Sequence, residues 1–308
     1  MTTDLLTSAR PDLWWPAVLR LGAGLLAGLA VIVLVTRGRD LASSTLFVRW
    51  RTWAVITPVW LAAVVHPVAC VALVVVLSLV AVCEYARLVA LPRSSRWLLI
   101  GVALLSGPLA ALDFTSWRAL PPLLLLAATV PSLLAQDVEQ GATRVAFTAL
   151  GIAYLPYLLT FVWLLREHTP AGAGALLVVG VAVALSDVGA FVVGSSVGGG
   201  KLAARLSPNK TRGGALGNLL GAAVGVAWTS FAVPDVATWL LIGIPVVVAV
   251  GAVWGDLLES LLKRQFAVKD AGSWLPGFGG LLDRVDSLLV VAPLGYTWLV
   301  VAPRVVPA

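Results

Sequence analysis

Charge is scarce in this 308-residue chain: 12% of its residues are Asp, Glu, Lys or Arg, against 60% hydrophobic, and its mean hydropathy is +0.98. A water-soluble domain cannot cover itself with so little polarity. Histidine is nearly absent as well. His66 and His168 stand alone, without visible acid partners, and no GxSxG elbow occurs, which argues against a histidine-based general base. The two cysteines, Cys70 and Cys83, lie inside apolar runs with no CxxC or His-rich companion, so neither a disulfide framework nor a zinc site is expected. Period-two alternation is missing too, which excludes membrane β-barrel strands. The N-terminal MTTDLLTSARPDLWW has no compact basic segment and does not read as a cleavable signal peptide.

What is present is solid Leu, Val and Ala. A helix needs about 20 mostly apolar residues to cross a hydrocarbon layer roughly 30 Å thick. Ten stretches qualify: 14–36, 52–66, 67–91, 97–113, 117–135, 146–165, 171–194, 214–233, 236–254 and 281–302, with nine also defensible because the second is short. The fold class is therefore all-α, a polytopic membrane protein of nine to ten transmembrane helices. His66-Pro67 should break the chain, since proline disfavours helix at the residue before it.

The net charge of +6 is a topological signal rather than a nucleic-acid footprint. With ten spans, Arg37, Arg39, Arg49, Arg51, Arg93, Arg96, Lys201, Arg205, Lys210, Arg212, Lys263, Arg264, Lys269 and Arg284 fall on one side. That side is expected to be cytoplasmic, with both termini outside and the protein a multi-pass component of the cell membrane.

All four lysines lie in two loops, 195–212 and 255–280, whereas arginine is spread along the chain. Lysine is a compact point charge suited to phosphate, and arginine serves equally well as a topological anchor. Asp187, Asp256, Asp270, Asp283 and Asp286 are in or beside the same region. An aspartate ending an apolar span, as Asp187 and Asp256 do, is costly to desolvate and should face a cavity, a cation or a partner charge. Asp256, Ser260 and Lys263 follow one another at i, i+4 and i+7 and share a helix face, opposite Leu257, Leu258, Leu261 and Leu262. That pattern reads as an amphipathic continuation of the ninth span, lying on lipid in its plainest form. Asp283 and Asp286, three apart, repel unless a divalent cation is shared, and oxygen-only donors point to Mg²⁺. The glycine-rich LPGFGG before them can bring backbone N–H groups to a phosphate. Gly200-Lys201 is not a P-loop, because Ser195 and Leu202 stand where the motif needs Gly and Ser/Thr.

These blocks carry a resemblance. Ser260 through Lys263-Arg264 to Lys269-Asp270, then Leu275-Pro276-Gly277-Phe278-Gly279-Gly280 and Leu282-Asp283-Arg284-Val285-Asp286-Ser287, resemble the signature of the phosphatidate cytidylyltransferase family. Upstream, Ser186-Asp187-Val-Gly189-Ala-Phe191, Lys201-Leu202-Ala203 and Ser207-Pro208-Asn209-Lys210-Thr211 are similar to a second motif of that family, and Glu84-Tyr85 looks like a further feature. The resemblance implies a Mg²⁺-dependent membrane enzyme that condenses CTP with phosphatidate, releases pyrophosphate and works as a homodimer. A second cation is compatible with it. Residues 1–145 then form N-terminal membrane helices and 146–308 the cytidylyltransferase module. By the same resemblance, Asp256 and Asp283 hold metal and act in catalysis with Lys263 and Asp286. Asp187, Lys201, Ser207, Lys210, Thr211, Arg264, Lys269, Gly279, Gly280 and Arg284 bind substrate. No nucleic-acid partner is expected.

Two positions depart from the family pattern. Phe278 replaces a histidine, and Arg212-Gly213-Gly214 replaces Trp-Glu-Gly after the Lys-Thr pair. A phosphate-monoester nucleophile, with a second pKa near ~6, is already an oxyanion and needs no base. An alcohol acceptor, as in a polyprenol kinase, needs one. The missing histidine therefore weighs against a kinase more than against a cytidylyltransferase. An enzyme of the same architecture on another lipid phosphate and a catalytically silent partner are the remaining alternatives.

Overall fold

A computed structural model describes residues 10–36, 44–268, 272 and 280–305. Its helices are α1 (Pro11–Thr36), α2 (Thr45–Val65), α3 (Pro67–Leu88), α4 (Arg93–Leu112), α5 (Phe114–Leu134), α6 (Gly141–Ile152), α7 (Leu158–Glu167), α8 (Ala173–Ser196), α9 (Arg212–Thr229), α10 (Thr238–Gln265) and α11 (Leu282–Val305). Among the described residues nine helical segments are long and apolar enough to cross a membrane, and Trp50–Val65 adds a shorter apolar one. The ten expected stretches are all found as helices.

Local chemistry sets the boundaries. Ser44 opens α2 by accepting a hydrogen bond from Phe47 N at 3.1 Å. His66 takes an extended conformation between α2 and α3, and Pro67 opens the next helix, where its missing N–H costs nothing. Within the segment 141–167, Pro156 cannot donate to the helical ladder, and Ala153–Tyr157 widens into a π turn joining α6 to α7.

Helix α8 is central. Residues 173–179 are all buried, as expected for a helix apolar on every side. It meets α9 through glycine. A Cβ at Gly189 would lie 2.2 Å from the Gly217 carbonyl oxygen, so the two backbones touch. Close approach of this kind replaces the hydrophobic drive that lipid cannot supply between helices. A second such contact joins α10 to α11, where a Cβ at Gly255 would lie 2.2 Å from the Asp286 carbonyl oxygen.

Two expectations are corrected here. The connection between α8 and α9 is not wholly loop, because β1 (Lys201–Ala203) and β2 (Ser207–Thr211) pair antiparallel, Lys201 opposite Thr211 and Ala203 opposite Ser207. The fold stays all-α with this one small hairpin. The amphipathic stretch after residue 254 does not lie flat on lipid. It continues α10 without a break, and Gly255, Glu259 and Leu262 turn inward. Pairing the polar groups with neighbouring charges removes the need to keep them in water.

Candidate active site

At the end of the bundle where α10 finishes and α11 begins, acids and lysines from four elements gather. Glu259 sits inside α10, 3% exposed, and its Oε2 lies 2.6 Å from Lys263 Nζ one turn on. Lys263 Nζ also donates to Asp283 Oδ1 at 2.7 Å, so one ammonium joins the two helices. Asp283 is in the first turn of α11, and its Oδ2 accepts from Gly280 N at 2.8 Å, which satisfies a free N–H at the positive end of the helix. Asp256, one turn before Glu259, pairs with Lys210 from β2. Asp286, 5% exposed, accepts from Ser287 N at 2.7 Å and interacts electrostatically with both Lys210 and Lys263.

Asp187, on α8, completes the group through electrostatic interactions with Asp286, Lys210 and Arg284. It is exposed, and its neighbours Val188, Phe191 and Val192 are 48%, 56% and 52% exposed. The cluster therefore opens sideways, along an apolar helix face, as well as toward the end of the bundle. Lys210 lies on the hairpin. Its burial holds its pKa below the ordinary lysine value, against the opposing pull of Asp286, Asp187 and Glu259 and with the repulsion of Lys263.

The surrounding chain is braced. The buried carboxylate of Glu84 on α3 accepts from Leu281 N at 3.0 Å and Leu282 N at 2.8 Å, capping α11 from across the molecule. Tyr85 donates to the Phe147 carbonyl at 2.7 Å. Thr211 caps α9 by accepting from Gly214 N at 3.1 Å, and Arg264 donates to the Leu206 carbonyl at 3.3 Å, tying α10 to the hairpin. Lys201 is exposed on β1 and Ser207 begins β2; among the described contacts neither meets a carboxylate. Arg284 is exposed on α11 and faces Asp187 electrostatically. The candidate residues Lys269 and Gly279, with Asp270 and Phe278, fall outside the described residues.

Asp256 and Asp283, assigned above to one cation, stand on packed helices at the same end, each with its own lysine. Among the described residues no group of three His, Cys, Asp or Glu side chains closes on a metal position. In chemical kind the donors suit Mg²⁺, being hard carboxylate oxygens throughout. Among the described residues, Glu259 Oε1 is buried without a hydrogen-bond partner.

Two participants escape the motifs read from the sequence. Glu259 is Glu at i−4 from Lys263, a spacing that does announce an ion pair. Tyr154, buried in the π turn, interacts electrostatically with Asp286 and Glu259, and its hydroxyl also lacks a partner among the described residues. Nothing in the local sequence marks it, because a π turn has no residue signature beyond its proline.

Several known proteins are similar in sequence to this chain. Phosphatidate cytidylyltransferase of Brucella suis biovar 1 is 38% identical over 162 residues, which are 52% of this chain and 59% of that protein. The Staphylococcus saprophyticus protein of that name is 39% identical over 150 residues, 48% of this chain and 56% of the relative. The one from Staphylococcus aureus strain COL is 37% identical over the same length and shares. The chain thus matches somewhat over half the length of each of these relatives. The model of the cytidylyltransferase family matches residues 47–302, most of the chain and all of the acid and lysine cluster. This chain belongs to the cytidylyltransferase family.

Proposed function

We propose that the chain transfers CMP from CTP to phosphatidate, giving CDP-diacylglycerol and pyrophosphate. The observation that carries this reading is the pair of lysines, Lys210 of β2 and Lys263 of α10, held by acids of α10 and α11 beside a lateral opening on α8. The similarity to relatives named phosphatidate cytidylyltransferase supports it.

The chemistry suits the residues. A phosphate monoester loses its second proton near pH ~6, so its oxyanion can attack the α-phosphorus of CTP without a general base. A phosphorus–oxygen bond forms to the lipid phosphate, the bond from the α-phosphorus to the bridging oxygen breaks, and pyrophosphate departs with the electron pair. Positioning and charge neutralisation dominate such a transfer. Lys210 and Lys263, already surrounded by carboxylates, exchange those partners for phosphate oxygens as substrates arrive. Glu259, unable to leave the interior of α10, keeps Lys263 aimed between the two helices. Asp256 and Asp283 would hold Mg²⁺, which when bound screens the negative charge of the triphosphate. The acceptor reaches the cluster along the exposed side of α8, so its acyl chains never leave lipid. We place the lysine-bearing end in the cytoplasm, where CTP is made, and assign the working unit as a homodimer in the cell membrane.

The test is purified protein in detergent with CTP, Mg²⁺ and phosphatidate, following pyrophosphate and the lipid product together. Stoichiometric release of both is expected. Nucleotide-dependent phosphorylation of a polyprenol without pyrophosphate would replace this reading with a kinase, and no turnover on any phosphate acceptor would leave a silent partner.

A further inference from the structure

The opposite end of the bundle holds a cleft that the proposed reaction does not use. It encloses about 450 Å³ between the end of α7 and the last turns of α11, within the size range of small-molecule sites. Its apolar lining comes from Pro170, Leu299, Val300 and Pro303, and its polar lining from Glu167, which pairs with Arg166, and from His168, Thr169 and Arg304. Arg118, on α5, stands beside it: its guanidinium lies 4.8 Å from the Phe114 ring centre, and the His168 ring stacks on the same Phe114 at 4.3 Å. Both Arg118 and Arg304 interact electrostatically with Tyr296 of α11.

Several other charged groups at this end have partners among the described residues. Arg10 pairs with Asp12 at 2.8 Å, and the buried Arg166 pairs with Glu167 while donating to the carbonyls of Ala63, Val64 and Val65. Asp113 is committed to capping α5, accepting from Thr115 N and Ser116 N. Arg118 and Arg304 are exposed and have no acidic partner among the described residues. Partial desolvation and the nearby Arg118 hold His168 below its ordinary pKa, so near neutral pH it is an uncharged ring able to donate one hydrogen bond.

Packed near these groups are Trp117, Tyr157, Phe161 and Tyr296, Trp117 stacked on Tyr157 and the others edge to face, with ring centres 4.8 to 5.9 Å apart. Trp and Tyr are enriched at headgroup depth. Two unpaired arginines at that depth, over an apolar wall continuous with the outside of the bundle, match one kind of molecule. We propose that the cleft binds the phosphate headgroup of an anionic phospholipid from the leaflet at this end, held by Arg118, Arg304 and His168, with its acyl chains along Val300 and Pro303. The site is separate from the acid and lysine cluster and does not depend on the reaction assigned to it.

Native mass spectrometry of the full chain in detergent, titrated with dioleoyl phosphatidylglycerol or dioleoyl phosphatidylcholine, tests the assignment. One phosphatidylglycerol is expected to be retained by wild type and lost from Arg118→Gln/Arg304→Gln. Its affinity should fall about 25-fold, the product of two roughly fivefold effects of a basic residue at an anionic headgroup. Arg304→Lys, which keeps the charge, should retain most of it, and a Lys201→Gln/Arg205→Gln change at the other end should not remove this lipid. Equal retention by the double glutamine variant, equal retention of phosphatidylcholine, or complete displacement by millimolar inorganic phosphate would each overturn the proposal.

Discussion

At the scale of single residues, the candidate site is a competition between carboxylates for two ammonium groups. Lys263 bridges Glu259 and Asp283, and removing its charge leaves both acids facing each other. Lys263→Met is therefore expected to lower CTP-dependent turnover by at least about 100-fold, on the scale of losing one preorganised charge in a transfer site. Asp283→Asn should abolish turnover while leaving the protein folded, measured as product formation alongside thermal unfolding in detergent. Retained activity there would remove Asp283 from the proposed metal pair.

Lys210 gives a pH prediction. Its folded-state pKa lies below the ordinary value because of burial, so the folded protein releases this proton at a lower pH than the unfolded chain does. Between those two values the unfolded state binds more protons, and stability rises with pH through that window. Activity moves the other way, since the neutral amine no longer attracts phosphate. The alkaline limb of the rate profile should shift upward in Lys210→Arg, because a guanidinium stays charged. An unchanged limb would mean that another group controls it.

Elements carry the precision of the site. The contact of Gly255 with the Asp286 backbone sets Asp256 and Asp286 on touching helices, and Gly189 against Gly217 does the same for Asp187 and the start of α9. Gly255→Val should separate α10 from α11 and cost a few kcal/mol, in the range of overpacked interiors, or prevent folding; the thermal midpoint in detergent reports it. Glu84→Ala leaves the N–H groups of Leu281 and Leu282 without an acceptor, at about 1–3 kcal/mol for each that stays buried, while Glu84→Gln keeps an acceptor and should recover part of the loss.

The sequence was most readable where physics leaves one option. Apolar runs of spanning length admit only helices, so every expected stretch is one, and Pro67 ends α2 where the chain must bend. The hairpin was hidden because Ser207-Pro208-Asn209-Lys210-Thr211 has no alternating pattern and its pairing is decided by the two helices it joins. The inward face of α10 was misjudged for a related reason. Leucines at 257, 258, 261 and 262 suggest a face laid on lipid, yet Leu262 turns inward with Gly255 and the buried acid Glu259, which only a partner helix could make favourable. Ion pairs across elements, Lys210 with Asp256 and Lys263 with Asp283, link positions that no local spacing connects.

For the molecule as a whole, the two ends differ in kind. One gathers lysines and acids from α8, α10, α11 and the hairpin; the other buries Arg166 and leaves Arg118 and Arg304 at an apolar cleft. Single cysteines test their placement, since Cys70 is buried and Cys83 half-buried. On the proposed orientation, Ala204→Cys, on the hairpin turn, should react with an impermeant thiol reagent only from the cytoplasmic side and Pro170→Cys only from the other, and the reverse pattern would overturn that orientation.

The reach of Glu84 to α11, across 197 residues of chain, bears on how the protein is manufactured. A ribosome completes the acceptor long before it makes the two amides that need it, so α11 finds its anchor already waiting. A gene split within the connection between α5 and α6 should then yield two fragments that are inert alone yet assemble when made together, and the second fragment by itself should be degraded.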